Sequence, residues 1–484
     1  MFQRWRLLLV SALSFAVLFA IRPDLRAASP PSQNALSPSA ETPRPLLVLV
    51  SIDGLKPEAV IAAEAHGLHL PNLQALMRDG SYATGVTGVL PTMTYPSHMT
   101  LLTGAAPARH GIYSNTTFDP LGDNDSGWYW YTEDGRAQTL WDAAAKAGLT
   151  TGNVYWPTSV GARITYNLPQ IWRSGTADDR KLQHALSTPG LEEQLGTGLG
   201  TYPAGEQETV DDDAQRTRYA MRMLESRRPD FTTVYLTGLD SEEHDSGPFS
   251  PAANAALERI DAMIGDLRAS AERTAPGRVW FCVVSDHGFA AIHHDVNLYP
   301  AFVKAGLITL AADNRRMIAW KAMPWAAGGS VAIMLADPTD AGTRDRVQTL
   351  LQQLARNRQN GMDRIFDQEE LRQREGFPDA AFLVSFRVGY ETGFNLTGPL
   401  VTPATHRGMH GYVPETPEMR SAFFIAGPGI AAGLSLDVID MRDIAPTLAG
   451  LLKLHLRDAE SAPLALDSRQ RPGTQQFARV DLDR

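Results

Sequence analysis

The sequence predicts an α/β fold on a mostly parallel sheet, and three observations carry that prediction. First, continuous apolar runs recur, and each stops at an acidic residue. "PLLVLVSIDG" ends at Asp53, "FTTVYLTGLD" at Asp240 and "RVWFCVVSDHG" at Asp286. Such runs suit strands buried on both faces of a parallel sheet. Second, stretches of helical periodicity lie between and after them, and alternating strands and helices are the α/β pattern. Third, ligands of open α/β sheets gather beyond the carboxyl ends of the strands, where these acids sit.

Taken in order, residues 1–28 open with the arginines of "MFQRWR", continue with the 15-residue apolar run "LLLVSALSFAVLFAI" and close on small residues. That is the layout of a secretory signal peptide, and the run is short of the roughly 20 residues a spanning helix needs. Residues 29–44, "SPPSQNALSPSAETPR", read as a flexible linker. A periplasmic or secreted protein is expected, with no membrane attachment beyond an N-terminal anchor if the run is retained. Helices are expected in "LPNLQALMRDG", "AQTLWDAAAKAGL", residues 252–268 and "MRDIAPTLAGLLKL". Residues 160–230 are less regular and read as an insertion capping the site, and residues 340–400 as a second, smaller α+β insertion. The catalytic domain is expected over 45–455, followed by a polar tail over 456–484.

The chain of 484 residues carries a formal charge of -10, and the four arginines and one aspartate of residues 1–28 leave the remainder more acidic still. That balance gives no electrostatic footprint for a nucleic-acid polymer. It does not exclude a small anionic substrate, because a bound metal can dominate the field of a site. The single cysteine, Cys282 in "VWFCVV", can form no intrachain disulfide and reads as a buried core residue.

Chemistry concentrates in four pieces. They are Asp53 in "VSIDG", Asp240 and His244 in "LTGLDSEEHDSGP", Asp286 and His287 in "VVSDHG", and His410 in "GMHGYVPE". Singly, each has a plain structural reading: a turn or helix-cap aspartate, a solvated acidic turn, a histidine beside glycine. Together they supply three aspartates and three histidines, the donor set for two four-coordinate zinc ions that each keep room for a reacting oxygen.

With these motifs in this order, the chain resembles the nucleotide pyrophosphatase/phosphodiesterase family (type I phosphodiesterases) of the alkaline phosphatase superfamily, from about Leu46 to Leu454. The resemblance implies an alkaline-phosphatase-like sandwich: a central mostly parallel sheet, helices on both faces, and insertions forming a cap. It implies two Zn2+ per chain, one held by Asp240, His244 and His410, the other by Asp53, Asp286 and His287. The family nucleophile is the threonine of a "TxPxH"-like segment, which matches Thr94 in "MTYPSH", and the resemblance makes Thr94 a metal-binding residue as well. Asn115 in "HGIYSN" matches the asparagine that helps hold a phosphoryl oxygen. A threonine hydroxyl is a poor nucleophile at neutral pH, and a neighbouring cation favours its ionised form. Attack on phosphorus then gives a phospho-threonine intermediate, with the Thr94 N–H and Asn115 holding a non-bridging oxygen. Thr92, Thr100 and Thr103 are expected in turn and cap bonds.

For the substrate, a small phosphodiester, a nucleotide is the first expectation. Tyr95 occupies the position where nucleotide-cleaving members place an aromatic under the base. Tyr155 and Trp156 in "VYWP" resemble a pocket-lining segment, although aromatics beside strands are commonly core. Two departures stand against triphosphate preference or the usual motif: Met93 replaces a lysine common in nucleotide-specialised animal members, and Ser97 replaces an asparagine. The same metals could serve a phosphomonoesterase, or a phosphonate or phospholipid-headgroup hydrolase. A non-catalytic exported binder is the distant alternative, and retention of all six ligand types with Thr94 argues against it. The threonine also argues against a sulfatase.

Overall fold

The computed structural model describes residues 45–122, 127–171, 178–204 and 208–467. The stretches read as signal peptide and linker lie outside the described residues.

Eight strands form the central sheet: β1 (Leu46–Ile52), β2 (Ser81–Tyr82), β3 (Thr151–Val154), β4 (Tyr166–Leu168), β5 (Phe231–Leu236), β6 (Val279–Val284), β7 (Phe423–Ala426) and β8 (Leu434–Ser435). Their spatial order is β8-β2-β7-β6-β1-β5-β3-β4. Every pairing is parallel except the two made by β7. β1 lies at the centre, and all seven of its residues are buried, as a strand covered on both faces requires. The register matters for function. Ser51 of β1 pairs with Tyr235 of β5 and with Val284 of β6, so the three strands end at one level. Asp53, Asp240 and Asp286 therefore emerge side by side.

The helices that matter are α1 (Pro71–Asp79), α2 (Thr94–Thr103), α3 (Leu140–Lys146), α4 (Val210–Arg227), α5 (Gly238–Ser246), α6 (Pro251–Thr274) and α7 (Ile444–Leu451). α6 packs against α1, α4 and α5, while α2 packs against α3 and α7, giving a helical layer on each side of the sheet. α6 begins at Ser250, whose side chain accepts the Ala253 N–H, and buries Ala253, Leu257, Ile260, Ile264, Leu267 and Ala271 at helical spacing. Cys282 is buried in β6, as expected.

Three expectations about organisation need correction. Much of residues 160–230 is not a cover: β4 is the sheet's edge strand, and α4 packs on β3 and β5. A three-residue strand is too short to show a period, and α4 buries Asp213, Gln215, Arg216 and Thr217, which hide its inner face from a hydrophobicity reading. The second insertion starts earlier than 340. Its antiparallel sheet begins with the hairpin Ala322–Ala327 and Ser330–Leu335 and continues with Phe382–Phe386 and Met362–Asp367. The polar tail does not begin at 456 either. Leu456 and Leu466 join the main core, and Glu460 accepts the N–H of Ala106.

Candidate active site

The site is built at the ends of β1, β5 and β6. Asp53 follows β1, and its N–H donates to the carbonyl of Leu236 on β5. Gly54 next to it has φ +75°, and a Cβ there would meet Phe289 and Glu243 at 3.0 Å, so the turn requires glycine. Asp240 and His244 both lie on α5, four residues apart and thus on one face. The turn feeding α5 is held by buried Asp213, whose carboxylate accepts the N–H groups of Thr237 and Gly238. Arg216 neutralises that carboxylate at 3.0 Å and lies over the Tyr155 ring, 3.5 Å from its centroid.

The six residues predicted as ligands converge. His287 Nε2 lies 3.2 Å from both Asp53 Oδ1 and Asp286 Oδ2. Asp240 stands between two histidines, with Oδ2 3.5 Å from His244 Nε2 and Oδ1 3.8 Å from His410 Nε2. The tightest three-residue groups are Asp53–Asp286–His287 and Asp240–His287–His410, so His287 belongs to both and His244 stands outside them. That differs from two separate triads: the rings of His287 and His410 stack at 3.6 Å, and His287 Nε2 also lies 4.0 Å from Asp240 Oδ1.

The donor chemistry fits cations. Nδ1 of His244, His287 and His410 faces the carbonyls of Gly408, Gly288 and Thr92 at 3.0, 3.2 and 3.1 Å. A carbonyl only accepts, so each ring places its N–H there and turns its Nε2 lone pair toward carboxylates. Lone pair then faces lone pair. Asp53 Oδ1, Asp240 Oδ1 and Asp286 Oδ2 are buried without a hydrogen-bond partner. Burial, then the charge of a neighbouring aspartate, pushes all three carboxyls well above the usual carboxylate range. Burial pulls His410 down to about 3 and His244 to about 4. A cluster of facing, desolvated acceptors is what a divalent cation neutralises.

Thr94 is the first residue of α2, 7% exposed, and its Oγ1 lies 3.4 Å from His287 Nε2 and 3.5 Å from Asn115 Nδ2. At a helix start its N–H has no intrahelical acceptor. Asn115 is fixed by its other end, where Oδ1 accepts the Tyr95 N–H at 3.0 Å. Thr92, Thr100 and Thr103 donate to the carbonyls of Tyr412, Ala105 and Met99.

A cavity of about 290 Å³ opens on this cluster, with Thr94, Tyr95, Asn115, Asp240, His244 and His410 in its wall. Tyr155 and Trp156, expected to line it, do not: both are fully buried. Tyr155 packs on Tyr235 and under Arg216, and Trp156 meets His98 edge-on. The aromatic that does face the cavity beside Tyr95 is Trp128, their ring centroids 5.5 Å apart. Sequence reasoning also missed Tyr235, whose hydroxyl donates to Asp53 Oδ2. It missed the role of His98 as well. Its Nδ1 lies 2.8 Å from the Thr94 carbonyl and its Nε2 2.9 Å from Ser51 Oγ, pinning the start of α2 to β1.

Comparison with known proteins gives a consistent picture. The family model described as type I phosphodiesterase/nucleotide pyrophosphatase matches residues 47–413. Human ectonucleotide pyrophosphatase/phosphodiesterase family member 1 is 28% identical over 51% of this chain, and the match spans 24% of that protein. Human family member 7 is 23% identical over 84% of this chain and 79% of its own length. The venom phosphodiesterase of Naja atra is 26% identical over 51% of this chain and 26% of its own. Among solved structures, murine ectonucleotide pyrophosphatase/phosphodiesterase 5, an inactive variant in complex with AMP, superposes with a TM-score of 0.61 at 19% identity. It covers 85% of this chain, which covers 96% of it, and the likeness is one of fold.

Proposed function

The chain belongs to the type I phosphodiesterase/nucleotide pyrophosphatase family, and from that premise we propose an exported, two-zinc phosphodiesterase that works through Thr94. The observation that carries the reading is the convergence of the Thr94 hydroxyl with three buried carboxylates and three imidazole lone pairs, of which Thr94, Asp53, Asp240, His244 and His410 line one cavity. Asp240, His244 and His410 would hold one ion, and Asp53, Asp286 and His287 the other. When bound, such a pair supplies Lewis-acid charge to the hydroxyl and to the reacting phosphate.

The chain's own groups do the rest. Thr94 Oγ1 forms a bond to phosphorus as the bond to one ester oxygen breaks, leaving a phospho-threonine and a free alcohol. Water then attacks phosphorus, restores the Thr94 hydroxyl and releases the phosphate monoester. Through both steps the Thr94 N–H and Asn115 Nδ2 donate to a non-bridging oxygen that gains charge. Tyr235 fixes one oxygen of Asp53, and His98 fixes the helix that presents the nucleophile. Trp128, partly exposed in the cavity wall, offers a flat face to a nucleobase, with Tyr95 buried beside it.

The test is a comparison on zinc-loaded protein of a nitrophenyl nucleotide diester, a nitrophenyl phosphate monoester and a nitrophenyl phosphocholine. A strong preference for the nucleotide diester is expected. Preference for the monoester would overturn the diesterase reading, and preference for phosphocholine would remove the nucleotide from it.

A further inference from the structure

Beside the catalytic cavity lies a second one of about 590 Å³. The two share Asn115, Trp128, His244, His406 and His410 along their common edge. The first extends from Thr94 toward Tyr95, Gln170 and Glu208. The second runs the other way, past Met93 into the insertion, between walls of Phe118, Trp128, Met323, Trp325, Phe394 and Met409. Phe118 meets Trp325 at 5.2 Å and Trp320 at 5.6 Å between ring centroids, so one wall is a block of aromatic rings. No lysine or arginine is among the described residues lining either cavity. Of the two acids lining the second cavity, Asp119 and Glu391, the latter is 3% exposed and faces His406 Nδ1 at 3.2 Å.

Resting on the phosphodiesterase reading, we propose that this cavity is a subsite for the second arm of a phosphodiester, and that this arm is a bulky, uncharged aromatic alcohol. Both cavities open at Asn115 and His410, so a phosphorus held at Thr94 can send one ester arm into each. An aromatic arm would bury apolar area against Phe118 and Trp325 in rings that favour offset or edge contacts. A polyphosphate arm would bring several negative charges into a cavity whose described lining holds no lysine or arginine to meet them. A monoester would leave the subsite unused. The insertion therefore selects a diester with one apolar arm, over a nucleoside triphosphate and over a phosphate monoester.

The experiment compares the methyl and naphthylmethyl esters of AMP as substrates of the full, zinc-loaded chain. These alcohols are of similar acidity, so a rate difference reports binding of the arm. The α,β-methylene analogue of ATP serves as a competitive inhibitor. The naphthylmethyl ester is expected to exceed the methyl ester in kcat/KM by about tenfold or more, an advantage of the size that burying one aromatic group gives. The ATP analogue is expected to bind more weakly than the naphthylmethyl ester. Trp325→Ala should collapse the ratio between the esters, and Phe394→Ala, at a position 69% exposed, should lower it without threatening the core. Equal kcat/KM for the two esters, a ratio unmoved by both variants, or tighter binding of the ATP analogue would overturn the subsite while leaving the phosphodiesterase reading standing. Turnover of neither ester would bring down both.

Discussion

Thr94 stands where a helix start, a cluster of candidate metal ligands and a cavity meet, and each neighbour has one task there. His98 anchors its carbonyl, Asn115 approaches its hydroxyl, and His287 lies within 3.4 Å of its Oγ1. Removing the hydroxyl should abolish chemistry and leave the cluster in place, because Thr94 is not one of the six converging carboxylates and imidazoles. Thr94→Ala is therefore expected to lower turnover of a nitrophenyl nucleotide diester at least about a thousandfold, with metal content unchanged by elemental analysis. Turnover near the wild-type level would remove Thr94 from the nucleophile's role. The candidate ligands stood out in the sequence because Asp53, Asp240, Asp286 and His287 follow apolar runs and His410 sits between glycines, while His244 lies four residues past Asp240. Tyr235 was not. Its hydroxyl reaches Asp53 only because the parallel register sets Tyr235 beside Ser51, and register is invisible in one strand read alone.

At the scale of elements, the long strands were legible from continuous apolarity, and α6 from its periodic buried face. α4 was not, because the first half of its buried face carries Asp213, Gln215, Arg216 and Thr217. Buried Asp213 and Arg216 neutralise each other there, and Asp213 also holds the turn from which Asp240 is presented. Arg216→Leu would leave that carboxylate buried and unpaired. The expected cost is about 3–5 kcal/mol in urea-unfolding free energy, the range for breaking a buried pair from one side. A loss below about 1 kcal/mol would show that Asp213 finds other partners and that the arginine does not hold the turn. Tyr155 and Trp156 belong to the same lesson. Their place beside a strand end suggested a pocket wall, yet both are fully buried, with Arg216 over the Tyr155 ring and His98 against Trp156.

Over the whole molecule, the α/β class and the position of the site at the strand ends were readable, because burial on both faces and acidic termini leave a mark in sequence. The insertion was readable only in part. Its first hairpin, Ala322–Ala327 and Ser330–Leu335, turns through Gly328 and Gly329, and it mixes small and aromatic residues in no clear period. Yet that hairpin supplies Met323 and Trp325 to the second cavity, and it makes the enclosure two-sided. One property of the assembled chain underlies the proposed chemistry: buried acceptors from four separate segments face one another, an arrangement suited to cations. The direct measurement is a zinc titration of the metal-stripped protein, following phosphodiester turnover and thermal stability together. Turnover should rise to a plateau at two zinc ions per chain, with the thermal midpoint rising as the ions bind the folded state. Full turnover in excess chelator, or a plateau at a single ion, would contradict it.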